Sequence, residues 1–346
     1  MTHTPRPVSR FRDELVTLSH GGGGKASQSL IENVFVQALA NPLLNPPNDS
    51  AILDIGGVKL AFTTDSYTVD PVFFPGGDIG SLAVNGTIND LCAAGAEPLY
   101  LSVAVILEEG FPVADLRRIV GSIATAAKQA GVQVVTGDTK VVQRGKVDKI
   151  FINTTGIGRL HGGQAVAPSA ARPGDRVLLS GQIGEHGITI LAARGDLGLE
   201  VDLKSDTAPM NGLLRVITRT NLAIHCMKDP TRGGIASTLN EIATASGVGI
   251  EIDEQAIPIL PQVRGACEIL GLDPLYVANE GKMIIIAPAD AADAIVTAMR
   301  SHPLGESACI IGEVVEEHPA MVVLRTTFGG CRVVDMPVGE VLPRIC

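Results

Sequence analysis

The first residues in the chain that could do chemistry are a run of glycines that ends in a lysine. Gly21 to Lys25 read "GGGGK", and Gly23 and Gly24 stand directly before the lysine. Backbone N–H groups of such a loop can wrap a phosphate while the ammonium supplies charge. The stretch is not a Walker A loop, because GxxxxGK[ST] is not met and no strand precedes it. A flexible linker is the alternative.

Three aspartates stand at or near the ends of apolar segments. Asp65 ends the strand-like "AFTTDS", Asp90 lies in "TIND", and Asp138 follows the strand-like "VVTGDT". Carboxylates at strand ends of an α/β fold point into the crevice where ligands bind. Together they would form a Mg²⁺ site for a nucleotide, since magnesium prefers oxygen ligands and substrate phosphates. Taken singly, each is more often a turn or cap residue.

The motif "DPTRGG", residues 229 to 234, precedes the apolar "IASTLNEIA". Asp229 begins it, and Gly233 and Gly234 stand where the helix would start. Paired glycines before a helix N-terminus predict an anion site, and an ordinary helix start is the alternative.

Two further residues are candidates for proton transfer. Glu280 in "ANEGK" precedes the strand-like "MIIIAP", where a general base could stand, and Lys140 follows Asp138 by two residues. An exposed loop glutamate and a solvated strand lysine are the commoner cases. The histidines of the chain show no metal-ligand spacing. We therefore interpret four of them as structural: His20, His161, His186 and His225.

The chain ends on "VLPRIC", so that a thiol, Cys346, is its last side chain. Residues 336 to 346 contain two prolines and no periodicity, which predicts a mobile tail. About ten extended residues at ~3.3 Å each span roughly 33 Å. The sulfur of Cys346 could therefore travel between a docked and an exposed position.

Composition excludes several function classes. The net charge of −10 leaves no surplus of Lys and Arg for nucleic acid or an anionic membrane. The six cysteines show no CxxC spacing, which favours a reducing compartment over a disulfide framework. No signal-peptide h-region and no long apolar run is present, so a cytoplasmic protein is expected.

The elements that must position these residues follow from periodicity. With 45% hydrophobic and 3% aromatic residues, the core is predicted to be Ala, Val, Ile and Leu in an α/β fold. Gly56-Gly57 predicts a hairpin turn, and helices are predicted near 79–95 and from 113 to Gly131. The Gly-, Ala- and Pro-rich residues 161–174 are the best domain boundary. The predicted organisation is an N-terminal segment 1–45, domains 46–160 and 171–335, and the tail 336–346.

These motifs occur in one order over nearly the whole chain. Lys25 with its glycines, "TTDS", "ND", "GDTKV", "DPTRGG", "NEGK" and the terminal "PRIC" resemble the HypE family of hydrogenase maturation proteins, within the aminoimidazole ribonucleotide synthetase (PurM-like) superfamily. "PRIC" separates HypE from other members, and residues 1–18 carry nothing recognisable.

The resemblance implies two α/β domains with ATP between them, and an N-terminal domain whose mixed sheet forms a β-barrel with a second subunit, hence a homodimer. It implies that HypF loads a carbamoyl group onto Cys346. ATP then drives dehydration of the carboxamide to a thiocyanate, and the cyano group passes to a HypC–HypD complex as an iron ligand of [NiFe] hydrogenase. Asp65, Asp90, Asp138 and Lys25 would organise Mg²⁺ and the phosphates, and Glu280 and Lys140 would serve proton transfer at the amide nitrogen.

Two alternatives remain open. The first is another PurM-like phosphotransferase, such as a selenophosphate synthetase. That enzyme would require a reactive Cys in the Gly-rich segment, and "SHGGGGKAS" has none. A nucleotide-binding scaffold would use the tail only as a docking peptide.

Overall fold

The computed structural model describes residues 13–44, 48–160, 166–195, 198, 200–339, 342 and 344–346. The first five residues of the predicted boundary, 161–165, and parts of the N-terminal segment and tail lie outside these ranges. No helix of the described residues combines the length and the apolar character needed to cross a membrane.

The strands are β1 Ala51–Ile55, β2 Val58–Tyr67, β3 Phe73–Phe74, β4 Gly77–Asp78, β5 Ala96–Glu108, β6 Gln133–Val142, β7 Ile150–Leu160, β8 Arg176–Leu179, β9 Cys226–Lys228, β10 Gly249–Asp253, β11 Ile284–Ala287, β12 Cys309–Val315, β13 Met321–Arg325 and β14 Cys331–Val333. The α-helices are α1 Lys25–Leu30, α2 Gln37–Leu39, α3 Ile79–Ala93, α4 Val113–Ala130, α5 Glu185–Arg194, α6 Asn211–Thr218, α7 Gly234–Ser246, α8 Pro261–Leu270 and α9 Ala289–Arg300. A π-helical stretch, Ile31–Val36, joins α1 to α2, and short 3₁₀ turns occur between other elements.

Two mixed sheets organise the chain into an α/β fold, as predicted. The first sheet has the order β1-β2-β7-β5-β6 and the second β14-β13-β10-β12-β8-β11-β9. Within the first sheet only the β5–β6 pair is parallel, with α4 as its crossover. Within the second sheet only β10 and β13 are parallel.

The predicted hairpin and the predicted helices are confirmed. Gly56 and Gly57 connect β1 to β2 with φ of 63° and 88°, values that glycine adopts at no steric cost. Gly131 ends α4 in the left-handed conformation.

Helix α3 is buried on nearly all sides because it lies against the first sheet, α4 and α6. The Asp78 side chain caps its start by accepting from the N–H groups of Gly80 and Ser81. At its other end α3 carries Asn89 and Asp90 to the boundary between the two sheets, so a core helix places site residues.

Candidate functional site

A cluster of carboxylates forms where the first sheet, α3 and the second sheet meet. Asp65 lies near the end of β2, Asp90 near the end of α3, and Asp229 directly after β9. Asp229 and Glu280 are buried, and Asp65 and Asp90 are half-buried. The chain therefore brings Asp65 and Asp90 together, as the sequence predicted, and adds two acids from the second half.

The acids of this cluster make one another difficult to ionise. Removal from water raises the pKa of Asp90 well above its ordinary value, and the charges of Asp229, Asp65 and Asp49 raise it further. Burial and the charge of Asp49 raise the pKa of Asp229 to about 7. Burial is also the main reason that the pKa of Asp65 is raised, against the lowering effect of Arg232. Like charges held together at low dielectric favour a bound cation.

Lys228, at the end of β9, neutralises one side of the cluster. Its ammonium pairs with Asp49 and lies 3.2 Å from a carboxylate oxygen of Glu241. Thr63 donates a hydrogen bond of 3.0 Å to Asp90 Oδ2. The Asp49 Oδ2 and Glu280 Oε1 atoms are buried without a hydrogen-bond partner. Uncompensated acceptors of this kind suit a divalent cation or a donor on a ligand.

A preformed chelating site is absent from the described part of the chain, since no three His, Cys, Asp or Glu side chains there are grouped closely enough to hold an ion. Magnesium typically takes one or two carboxylates and completes its shell with phosphates and water. The cluster therefore fits a magnesium–nucleotide complex, and not a metal held by protein alone.

The "DPTRGG" loop is locked against the loop before β11. Asn279 donates to the Pro230 carbonyl from its side chain over 2.8 Å, and its Oδ1 accepts from Gly184 N–H at 2.7 Å. Gly234 has a φ of 61°, and a Cβ there would lie 2.4 Å from the Leu275 carbonyl oxygen. The glycine pair is thus needed for close approach of two loops as well as for the start of α7.

Glu280 is buried in this interface and not exposed. Its N–H donates to Asp206 Oδ1 at 3.1 Å, and its carbonyl accepts from Asn89 Nδ2 at 3.2 Å. Burial raises its pKa well above the usual value, and the charges of Asp229, Asp206 and Asp65 act in the same direction. Burial therefore favours the protonated form of the Glu280 carboxyl and makes its carboxylate, when formed, a stronger base than that of an exposed glutamate.

The tail is docked beside this cluster. Ile345 is buried, and Cys346 is half-buried at the edge of the main apolar core. The pKa of Arg232 is raised above its usual range, first by negative charge at Cys346 and then by Asp65 and Glu280. Arg232 thus lies within electrostatic reach of both the end of the chain and the carboxylates.

The Gly-rich loop binds the root of the tail. The N–H groups of Lys25 and Ala26 donate to the carbonyls of Pro337 at 2.9 Å and Val338 at 3.2 Å. A Cβ on Gly24 would lie 2.1 Å from the Pro337 oxygen, and one on Gly23 would lie 3.0 Å from the Arg232 carbonyl. The glycines are close to the "DPTRGG" motif, while the Lys25 ammonium pairs with Asp335 at 2.6 Å.

Asp138 and Lys140 are not brought to the cluster within one chain. Both lie on the exposed edge strand β6 and pair with each other at 2.6 Å. The register aligns Asp138 with Ala104 and Asn153, which share the open face of the sheet, whereas Asp65 aligns with Thr154 on the buried face.

Three residues near the site were not found by sequence reasoning. Asp49 and Arg232 were passed over, and His186 was interpreted as structural. Arg232 lies inside the "DPTRGG" motif, so its position between two glycines and a proline was an available signal. Nothing local marks Asp49 or His186, because their partners are distant in sequence.

Comparison with known proteins defines the class. Residues 47–160 match the N-terminal domain and residues 172–324 the C-terminal domain of the AIR synthase related proteins. The chain is thus a two-domain protein of the PurM-like class.

Within that class, the chain belongs to the HypE family. It is 54% identical over 336 residues to the carbamoyl dehydratase HypE of Azotobacter vinelandii, covering 97% of this chain and 98% of that one. The crystal structure of a HypE–HypF complex matches with a TM-score of 0.85 and 49% identity, over 89% of this chain and 99% of that chain. The crystal structure of HypE in complex with ATP matches with a TM-score of 0.81 and 49% identity, over 95% of this chain and 100% of that chain.

Proposed function

We propose that this protein is an ATP-dependent carbamoyl dehydratase that acts on its own C-terminus. It converts an S-carboxamide on Cys346 to a thiocyanate, which supplies the cyanide ligand for the iron of [NiFe] hydrogenase. The observation that carries the proposal is the docking of the tail: Cys346 packs against the apolar core, and its main chain is hydrogen-bonded to Thr68, three residues after Asp65.

The reaction explains why such a site is needed. Hydroxide is a poor leaving group, so an amide oxygen must be activated before it departs. Transfer of the γ-phosphoryl group of ATP to that oxygen, with loss of one N–H proton, gives an imino phosphate and ADP. Loss of the second N–H proton expels phosphate and leaves the nitrile, so one carboxamide and one ATP give one thiocyanate, ADP and phosphate.

Several residues suit the charge changes of this route. One or two of the carboxylates of Asp65, Asp90 and Asp229 would ligate Mg²⁺, which supplies charge neutralisation for the phosphates when bound. Arg232 would stabilise negative charge next to Cys346, and Lys25 would contribute once released from Asp335. Gly23, Gly24, Gly233 and Gly234 would let backbone approach the phosphates closely.

Glu280 is the proposed proton acceptor at the amide nitrogen. It is buried, its Oε1 has no hydrogen-bond partner, and Arg232 lowers its pKa against the effect of burial. A carboxylate with a raised pKa is matched to abstracting a weakly acidic proton near neutral pH.

The homodimer proposal rests on an uncovered sheet face. Phe62 and Tyr100 both align with Ile157 across β2, β7 and β5, and their side chains are 41% and 45% exposed. Exposed apolar rows of this kind mark an interaction surface. Covering them with the same sheet of a second copy would form the implied barrel, and it would place Asp138 and Lys140 at the subunit interface.

The partners follow from the chemistry. HypF would load the carbamoyl group onto Cys346, and a HypC–HypD complex would accept the cyano group. The tail would move between these two partners and the ATP site. Support for HypF comes from the similarity to the HypE–HypF complex.

Mass spectrometry of the C-terminal peptide tests the function. After incubation with HypF, carbamoyl phosphate and ATP, the peptide should gain the mass of a carbamoyl group and then lose the mass of water. Omission of ATP should stop the series at the carbamoylated peptide. Persistence of that peptide while ATP is hydrolysed to completion would reject dehydration on Cys346.

A further inference from the structure

The last three residues of the chain are held by their main chain. The Arg344 carbonyl accepts from Arg194 Nη2 at 2.9 Å and from Asp70 N–H at 3.3 Å. The Ile345 carbonyl lies 2.7 Å from His186 Nε2. A main-chain oxygen of Cys346 accepts from the N–H of Thr68 at 3.0 Å and from its hydroxyl at 3.2 Å. We call Thr68, His186 and Arg194 the main-chain clamp.

The seat of the tail is shaped for two apolar side chains. Leu342 and Ile345 are 8% and 3% exposed. A Cβ on Gly187, in helix α5, would lie 3.1 Å from Leu342 Cδ1 and 2.5 Å from Val277 Cγ1. A side chain at position 187 would therefore require both Val277 and Leu342 to shift, so the glycine in α5 permits close packing of the docked tail.

His186 is the buried member of the clamp, and its tautomer is fixed by its neighbours. A carbonyl only accepts, so Nε2 must carry the proton that is donated to Ile345. Nδ1 is then an acceptor, and it lies 2.7 Å from the Ser205 hydroxyl, which in turn accepts from Thr207 N–H at 3.1 Å. Burial lowers the pKa of His186, which favours this neutral form. The edge-to-face contact with Phe74, at 5.7 Å between ring centroids, orients the ring.

From this geometry we propose that His186 is a positioning residue that sets the register of the docked tail through the Ile345 carbonyl. The inference rests on the proposed function for its purpose, since the register decides where the sulfur of Cys346 stands. Because the clamp binds main-chain oxygens, the tail docks in the same register whether the sulfur is a thiol or carries a small adduct.

A buried histidine can also serve merely to fill space, and two substitutions separate the roles. His186→Leu keeps apolar volume next to Phe74 but removes the donor. His186→Gln returns an N–H donor at a similar reach. A residue that only fills space would tolerate Leu at least as well as Gln.

The test uses the full-length protein without nucleotide or partner. Hydrogen exchange at the amides of Thr68 and Asp70 reports docking, because their N–H groups bond the tail. The alkylation rate of Cys346 by iodoacetamide, followed on the C-terminal peptide to separate it from exposed Cys331, is the second measurement. His186→Leu should raise the exchange rate of the two amides and the alkylation rate of Cys346 by about five- to tenfold, because one buried hydrogen bond is lost. His186→Gln should restore most of the protection.

The matched control is His225→Asn. His225 lies in the same half of the chain and bonds Asp175 at 2.7 Å instead of the tail, so both rates should stay unchanged. If His186→Leu does not fold, Ser205→Ala removes the partner of Nδ1 and should act in the same direction to a smaller extent. Unchanged exchange in a folded His186→Leu, or in Ser205→Ala, overturns the proposal.

A further experiment, on protein that carries an adduct on the Cys346 sulfur, tests whether the clamp holds the tail through its main chain alone. Protein alkylated on Cys346 by iodoacetamide should keep the protection of Thr68 and Asp70, and loss of that protection overturns the proposal. None of these measurements involves ATP or a carbamoyl group. Their failure would leave the dehydration reaction standing, and failure of dehydration would leave them unaffected.

Discussion

Lys25 and Asp335 form an ion pair of 2.6 Å that joins the Gly-rich loop near one end of the chain to the root of the tail at the other. The sequence predicted Lys25 as a phosphate ligand. In the described structure its ammonium is held by a carboxylate, and its N–H by Pro337. Phosphate binding by Lys25 would therefore compete with the contact that anchors the tail.

Substitution of the two partners should shift nucleotide affinity in opposite directions. Asp335→Asn frees the ammonium and should raise the affinity for ATP by about two- to fivefold, while Lys25→Met should lower it. Because the pair is exposed, its effect on the free energy of unfolding should stay below about 1 kcal/mol. Isothermal calorimetry gives the affinities, and equal shifts for both variants would show that Lys25 does not reach the phosphates.

The buried acids should make the ligand-free protein less stable at high pH. Asp229 has a pKa of about 7 against an ordinary value of 3.8, so the folded state binds its proton more tightly than the unfolded state. The resulting stability is present below the ordinary pKa and is lost as the pH rises through 7. Asp229→Asn should thus stabilise by about 1–3 kcal/mol near pH 8 and change little near pH 4.5.

Urea unfolding at the two pH values measures this difference. Exposed Asp293 in α9 offers a control, and Asp293→Asn should show the same small effect at both. A pH-independent effect of Asp229→Asn would mean that Asp229 is ionised throughout.

Cys346→Ala should abolish product formation while the fold and ATP binding stay intact. The thiol is half-buried at the chain end, so its loss removes little packing. Melting temperature and calorimetric ATP affinity should match the parent within about twofold in the binding constant. Residual cyanide transfer to the acceptor complex would contradict the role of Cys346 as carrier.

Gly234→Ala should destabilise the protein by about 2 kcal/mol or more, because the new Cβ meets the Leu275 carbonyl at a positive φ. Gly265 in α8 has open space around its Cβ position, so Gly265→Ala should stabilise by about 0.5–1 kcal/mol. Denaturant midpoints compare the two. A neutral Gly234→Ala would show that the two loops can separate without loss of stability.

Asp138→Asn should weaken ATP binding, and in the proposed homodimer it would do so across the subunit interface. Mixed dimers of Asp138→Asn and Cys346→Ala subunits decide this. If Asp138 serves the neighbouring subunit, the mixture regains activity that neither variant has alone. An inactive mixture places Asp138 in its own chain's site, and unchanged calorimetric affinity removes it from the nucleotide site.

The fold was largely predictable, because hairpin glycines and helix periodicity are local signals that the core only reinforces. Gly56-Gly57 and the helix up to Gly131 are examples. The site was less predictable. The raised pKa of Asp90 depends on Asp49 and Asp229, 41 residues before it and 139 after it, and no local pattern encodes that approach. The same is true of His186, whose partner in the tail is 159 positions away.

The docked tail also ties the two halves of the protein together. Thr68 follows β2 of the first sheet, and His186 and Arg194 belong to α5, which follows β8 of the second. While the tail is seated, its last three residues brace the two halves against each other through these hydrogen bonds. When it leaves, both halves lose that brace at once. In the proposed reaction, departure of the tail with the product would therefore also release the contact between the two halves.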